Sequence, residues 1–254
     1  MGVDLAVVTG GAGGLGRFIT QRLAERGLCV VIADTDHAAA TQLVTELQHR
    51  GHGAVFVDTD AADVEAVERL MTQAADLGTL RVLVNNAGGW LPGPQYPEGR
   101  EWRRSVDLNL VMPMLAAQLA VPMMINSGGS IVNVSSSGMG SRAYSSPEYG
   151  AAKAGLIRFT CCVANWADGH RIRVNCVVPH WIGLDRARHE FEQLTDQEKQ
   201  DSGGLVEPDL VADTVVTLAL DGESVGRIVV IRADREPYDV DPGSADPHEH
   251  RLAQ

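Results

Sequence analysis

The feature that most constrains this chain is a regular alternation of short, unbroken apolar runs with longer amphipathic ones. The apolar runs fall at residues 5–9, 29–33, 54–57, 82–85, 130–135, 173–178 and 227–231. Most are continuous in Val, Ile and Leu, as expected of strands covered on both faces. The amphipathic runs at 14–26, 37–50, 61–75, 98–125, 147–167 and 207–220 read as helices. Strict β–α alternation predicts a doubly wound α/β fold, a parallel sheet of about seven strands with helices on both faces. With 254 residues and no internal repeat, it reads as a single domain over 1–232, followed by a polar, acidic tail over 233–254. Residues 88–99, rich in Gly and Pro, read as a loop. Residues 180–205 are too long for a plain connection and suit a lid or binding element.

The first apolar run ends in Thr9-Gly10-Gly11-Ala12-Gly13-Gly14-Leu15-Gly16, and a helix pattern starts at once. Glycines here permit positive φ, let backbone approach a pyrophosphate and pack the helix against its strand, while the helix N-terminus offers unpaired N–H groups to phosphate. Asp34 closes the second run, where a carboxylate can accept both ribose hydroxyls of an adenosine and repel a 2′-phosphate. No Arg or Lys lies within 10–16 or directly after Asp34, so the expected cofactor is NAD on a Rossmann-type fold. S-adenosylmethionine enzymes share such a glycine turn and acid, and this region alone leaves both cofactor classes open.

Tyr149-Gly150-Ala151-Ala152-Lys153 places a phenol and an ammonium four apart, on one helical face. A free phenol titrates at about 10 and is a poor base at neutral pH. An ammonium about 4 Å away is worth roughly 4 kcal/mol at an effective dielectric near 20, enough to lower the phenol by up to about three units before screening and desolvation subtract. Such a phenol takes the proton of an alcohol or returns it to a carbonyl. The pattern alone is common by chance. Its context is the buried run over 130–135, which ends in the hydroxyls Ser135-Ser136-Ser137 at the sheet edge where α/β proteins bind ligands.

Thr9-Gly10-x-x-x-Gly14-x-Gly16, Asn85-Asn86-Ala87-Gly88, the strand ending Ser135-Ser136, Tyr149-x-x-x-Lys153 and Arg173-Val174-Asn175 occur in that order. The chain thereby resembles the short-chain dehydrogenase/reductase family in its single-domain form, over roughly residues 5–182 with a weaker echo to 231. The resemblance implies an oxidoreductase that moves hydride between nicotinamide and a secondary alcohol or carbonyl carbon without a metal. It implies Tyr149 as acid/base, Lys153 as its partner and as a hold on the nicotinamide ribose, and Ser136, rather than Ser135 or Ser137, as the donor to the substrate oxygen. It implies Asn109 as the residue that kinks its helix near Lys153. It places Thr9, Gly10, Gly14, Leu15 and Gly16 in the phosphate turn, Asp34 on the adenosine ribose, and Asp58 and Thr59 on adenine. Asn86, Ala87 and Gly88 fall along the adenosine side, and Pro179 and Ile182 near the nicotinamide.

The chain departs from the family pattern after the sixth strand. His180 replaces a glycine and Leu184 stands where a threonine contacts the carboxamide. Trp90, Met139, Tyr144, His180 and Trp181 lie on segments expected to rim the substrate pocket, although buried loop anchors read equally well. The family's usual Asp-Gly-Gly near the last strand is also missing. An alternative is a Rossmann-fold binding or regulatory protein with little turnover; a methyltransferase is a third reading.

A net charge of −12 argues against nucleic acid and anionic membrane surfaces as partners. No apolar run approaches 18 unbroken residues, so no membrane span is expected. The start lacks signal-peptide character, which reads as cytoplasmic. The cysteines, Cys29, Cys161, Cys162 and Cys176, form no C-x-x-C pair and read as buried reduced thiols, with no metal site. The helices over 98–125 and 147–167 carry apolar residues on more than one face, which predicts a homodimer or homotetramer.

Overall fold

The computed structural model describes residues 2–90, 100–137 and 146–241. Eight strands form one sheet: β1 (Asp4–Thr9), β2 (Cys29–Asp34), β3 (Ala54–Asp58), β4 (Thr79–Asn85), β5 (Gly129–Val134), β6 (Ile172–Pro179), β7 (Ile228–Arg232) and β8 (Arg235–Val240). The helices are α1 (Gly14–Glu25), α2 (His37–His49), α3 (Val64–Leu77), α4 (Arg100–Val106), α5 (Met112–Met124), α6 (Pro147–Cys162), α7 (Trp166–His170), α8 (Asp185–Glu192), α9 (Asp196–Asp201) and α10 (Pro208–Leu220). The strand order is β3-β2-β1-β4-β5-β6-β7-β8, parallel from β3 through β7, which matches the predicted doubly wound fold.

Strand residues alternate between two cores. Ala6, Val8, Val30 and Ile32 face Leu15, Ile19 and Leu23 of α1, Leu43 and Leu47 of α2, and Val211 and Val215 of α10. Val7, Val31, Leu83 and Ile131 face Leu70 and Ala74 of α3 and Ala116, Ala120 and Met124 of α5. Both faces are covered, so the strand sequences need no polar alternation. Chain direction away from β1 reverses between β1 and β4. The connections leaving β1 and β4 run in opposite directions along the sheet, and the crevice where such folds bind ligands lies outside the carboxyl ends of these two strands.

Three predicted elements need correction. The helix over 98–125 is α4 and α5 joined by a π-helical turn at Asp107–Val111. The helix over 147–167 ends at Cys162, and α7 is a separate turn. The tail begins with a strand: β8 pairs antiparallel with β7 through Ile228↔Val240 and Val230↔Tyr238. Two-residue reversal at Ala233-Asp234 folds it back, and Asp234 takes ion pairs from Arg232 and Arg235. Charged residues on this edge strand masked it as a tail, although charge is how exposed edges are kept from pairing elsewhere.

Trp102–Met124 is, by length and composition, apolar enough to cross a bilayer, with mean hydropathy 1.4 and 33% of its apolar window buried. The count of unbroken apolar residues passes over it because Arg103, Arg104, Asp107 and Asn109 interrupt the run. Its inner face belongs to the α3–α5 core, and Trp102 and Val111 lie exposed.

Candidate active site

At the β1–β4 crevice, Gly10 (φ 61°) and Gly14 (φ 49°) adopt left-handed backbone that side chains rarely tolerate. Gly16 serves a different need. A Cβ there would lie 1.8 Å from the Gly10 carbonyl oxygen, so α1 reaches the turn only because residue 16 has no side chain. Thr9 does not line the cleft. Its Oγ1 accepts from the backbone N–H groups of Asn86 and Ala87, both at 3.0 Å, which clamps the β4 end to β1. Asn86 Nδ2 completes the clamp by donating to the carbonyls of Thr9 and Gly10.

A cleft of about 820 Å³ runs from this turn to α6. Gly10, Gly14, Leu15 and Asp34 line one end; Ser136, Tyr149 and Lys153 line it from β5 and α6; Asn86, Ala87, Gly88 and Trp90 follow β4; Pro179, His180, Trp181 and Ile182 follow β6. Most predicted site residues therefore meet in one space. Asp58 and Thr59 are not among its lining: Asp58 is exposed and pairs with His37 at 3.2 Å, and Thr59 is buried with its hydroxyl turned back to the Val57 carbonyl. Met139 and Tyr144 lie outside the described residues.

Asp34 is held by three backbone donors. Oδ2 accepts from Ala12 N–H at 2.9 Å, and Oδ1 from Thr35 and Asp36 N–H at 2.8 and 3.0 Å. The carboxylate is thus fixed at the end of β2. Arg17, next to Gly16, pairs with Glu46 on α2.

Lys153 is buried, 3% exposed, and donates from Nζ to the Val134 carbonyl at 2.8 Å. Burial pulls its ammonium down to about 8, because a low-dielectric surrounding disfavours charge. Nζ lies 5.8 Å from the centre of the Tyr149 ring, so phenol and amine share one compartment. Cys176, buried nearby, has its thiol pushed up to about 12 by the same loss of solvent, which leaves it inert.

The serines separate by geometry. Ser135 Oγ is buried and donates to the Lys153 carbonyl at 2.8 Å, a bond that ties β5 to α6. Ser136 is half-buried and lines the cleft, as does Ser137. Asn109 sits fully buried in the π turn. Its Oδ1 accepts from Gly89 N–H at 3.0 Å, and its Nδ2 donates to the carbonyls of Gly89 and Ser105. A Cβ on Gly88 would stand 2.6 Å from Asn109 Oδ1 and 3.0 Å from Lys153 Nζ. Only glycine lets the segment after β4 pass between them. Asn109 lies in a π turn, a helical irregularity frequent at functional sites.

Trp181 settles both ways: it lines the cleft and packs edge-on against Phe191 of α8, ring centres 5.8 Å apart. His180 lines the cleft, and its backbone N–H donates to Ile231. Sequence reasoning missed Arg186 and Glu190, which reach the cleft from α8. Residues 180–205 read as one loop, and helical spacing within it, Arg186 four before Glu190, was the signal available. The cysteines are all free, but Cys162 is exposed and Cys29 and Cys161 are half-buried, so only Cys176 fits the buried reading.

A family model described as short chain dehydrogenase matches residues 4–195. The chain belongs to the short-chain dehydrogenase family. Among its relatives, cis-4-hydroxycyclohexanecarboxylate dehydrogenase of Sinomonas cyclohexanicum is 36% identical over 237 residues, 89% of this chain and 94% of that protein. The 7alpha-hydroxysteroid dehydrogenase of Bacteroides fragilis is 32% identical over 85% of this chain and 86% of that protein. The crystal structure of actinorhodin polyketide ketoreductase with NADPH superposes with a TM-score of 0.80 at 26% identity, covering 91% of this chain and 96% of that one. This short-chain dehydrogenase is accordingly an oxidoreductase acting on alcohol- or ketone-type small molecules with a nicotinamide cofactor.

Proposed function

We propose that this enzyme is an NAD-dependent dehydrogenase of secondary alcohols, with Tyr149 as the acid/base. The observation that carries the reading is that Tyr149 and Lys153 line the same cleft as the glycine turn and Asp34. The residues fit a dinucleotide. Gly10 and Gly14 bring bare backbone to the pyrophosphate position, Gly16 packs the helix beneath it, and Asp34 has acceptor capacity for the adenosine ribose. NAD is favoured over NADP because the fixed Asp34 carboxylate would repel a 2′-phosphate, and Arg17 is engaged by Glu46.

Ser136 donates to the substrate oxygen and holds it beside the Tyr149 phenol. As the C–H bond breaks, the O–H proton passes to the phenolate oxygen, and the carbon becomes a carbonyl. The nicotinamide, when bound, supplies the hydride acceptor. Lys153 keeps positive charge beside the phenol and favours its ionised form. Asn109 holds Gly89 and so fixes the β4 turn that faces Lys153.

The substrate body is apolar or cyclic, in keeping with Trp90 and Trp181 in the lining and with relatives named for a cyclohexanecarboxylate and a steroid. The enzyme works in the cytoplasm, consistent with its free thiols. It does so as a homodimer or homotetramer, whose subunits cover the exposed apolar residues of the helices around the π turn.

The test follows absorbance at 340 nm with cyclic secondary alcohols and either cofactor. The reading predicts reduction of NAD at least ten times more efficient than of NADP. Dinucleotide binding without turnover on any alcohol or ketone would favour the regulatory reading, and efficient NADP reduction would overturn the role given to Asp34.

A further inference from the structure

Arg186 and Lys153 are the cations that line the cleft among the described residues. Lys153 is buried and bonded to the Val134 carbonyl. Arg186 is different. Its guanidinium carbon lies 4.7 Å from the centre of the Trp90 ring, and its Nε donates to Glu190 Oε1 at 2.9 Å, one turn along α8. The guanidinium lies over the Trp90 ring, and Glu190 takes its Nε edge. The two terminal Nη groups make no hydrogen bond among the described residues. A planar fork held this way matches two oxygens of one anion.

The path of the chain locates this fork. Ala87 packs against Gly10 of the phosphate turn, and Gly88 passes Lys153 Nζ. Gly89 bonds Asn109, and Trp90 comes next. Moving from 87 to 90 therefore leads from the glycine turn to the reacting end, and Arg186 stacks on the residue at that end. Of the two cations in the lining, Arg186 is the one at the α8 rim of the cleft, where positive charge draws an anion inward.

We propose that Arg186 is the specificity-determining residue for a carboxylate carried by the substrate, with Trp90 as its platform and Glu190 as the counter-ion the substrate displaces or shares. The substrate class is then a hydroxy acid whose carboxylate is separated from the reacting carbinol by an apolar body. This rests on the dehydrogenase reading above and deepens it. The same fork chemistry suits the cofactor pyrophosphate, and the experiment separates the two sources.

The experiment compares kcat/KM for 4-hydroxycyclohexanecarboxylate and its methyl ester, with NAD, in wild type, Arg186→Gln and Glu190→Gln, alongside NAD dissociation constants from fluorescence titration. The wild type is expected to favour the acid at least tenfold. Arg186→Gln should collapse that acid-to-ester ratio by about thirtyfold, as loss of a charge-assisted bidentate contact of roughly 2 kcal/mol implies. Glu190→Gln should raise the ratio, since it removes the competing carboxylate. An unchanged ratio in both variants overturns the proposal. So does a rise in the NAD dissociation constant of tenfold or more in Arg186→Gln with equal losses on both substrates, which assigns the fork to pyrophosphate. If the wild type oxidises the ester but not the acid, the dehydrogenase reading stands and this inference falls. If it oxidises neither these nor other alcohols, the failure belongs to the dehydrogenase reading.

Discussion

Lys153 shows at the scale of a single residue how a catalytic group costs stability. Burial lowers its amine from the ordinary 10.5 to about 8, so the folded protein releases this proton more readily than the unfolded chain does. Between about pH 8 and 10.5 the unfolded chain binds more protons at this position, and stability from Lys153 therefore rises with pH across that window. The full difference is on the order of 3 kcal/mol. Lys153→Met should raise Tm at pH 7, by the equivalent of about 1–2 kcal/mol after the lost bond to Val134 is counted, while turnover falls. Thermal melts of both proteins at pH 7 and pH 10 check this: the gap in Tm should narrow at the higher pH. Asp34 belongs to the same scale. Asp34→Ser should shift cofactor preference toward NADP by tenfold or more, read from kcat/KM for each cofactor. That Tyr149, Lys153 and Asp34 meet at one cleft was legible in the sequence, because Tyr149 and Lys153 stand four apart and Asp34 ends the strand that follows the glycine turn. Arg186 was not, because its partner Trp90 is far away in sequence and only the fold brings the two together.

At the scale of elements, the π turn at Asp107–Val111 and the glycine turn act as paired fixtures on either side of the β4 end. Asn109→Ala removes three hydrogen bonds to Gly89 and Ser105 and leaves the half-buried Gly89 backbone without these partners. A loss of about 1–3 kcal/mol is expected, measured by denaturant unfolding, with hydrogen exchange at Gly89 accelerated. Gly16→Ala forces a Cβ to within 1.8 Å of the Gly10 carbonyl. α1 must move off the turn, and NAD affinity should drop at least tenfold by fluorescence titration. Apolar periodicity located most elements to within a few residues. It missed the π turn because the run over 98–125 is apolar on more than one face, so the phase shift from one extra residue leaves no visible break. It missed α8 and α9 because short, highly charged helices carry little apolar signal, and it missed β8 for the reason that makes it a safe edge.

For the whole molecule, the order of strands decides where chemistry happens. Reversal between β1 and β4 opens one crevice, and residues from β1, β2, β4, β5, α6 and the segment after β6 all reach it. Regular β–α alternation implies this convergence, since strand ends in such a sheet share an edge. What alternation does not place are the side chains at the end of β3: Asp58 lies 3.2 Å from His37, and Thr59 turns its hydroxyl to the Val57 carbonyl. Trp102, Val111 and Ile125 remain exposed on one chain, at 47%, 40% and 40%. If a second subunit covers Val111, Val111→Asp should lower the mass found by light scattering toward one chain, with the fold retained by circular dichroism.

The most direct measurement is the initial rate of NADH formation by wild type and Tyr149→Phe on one cyclic secondary alcohol, with the NAD dissociation constant of each. Phe keeps the ring and loses only the hydroxyl. The account predicts that kcat falls by about 10²–10⁴ while NAD binding stays within roughly threefold. A Tyr149→Phe protein that turns over at a rate close to wild type would contradict it, because the proton would then have another acceptor.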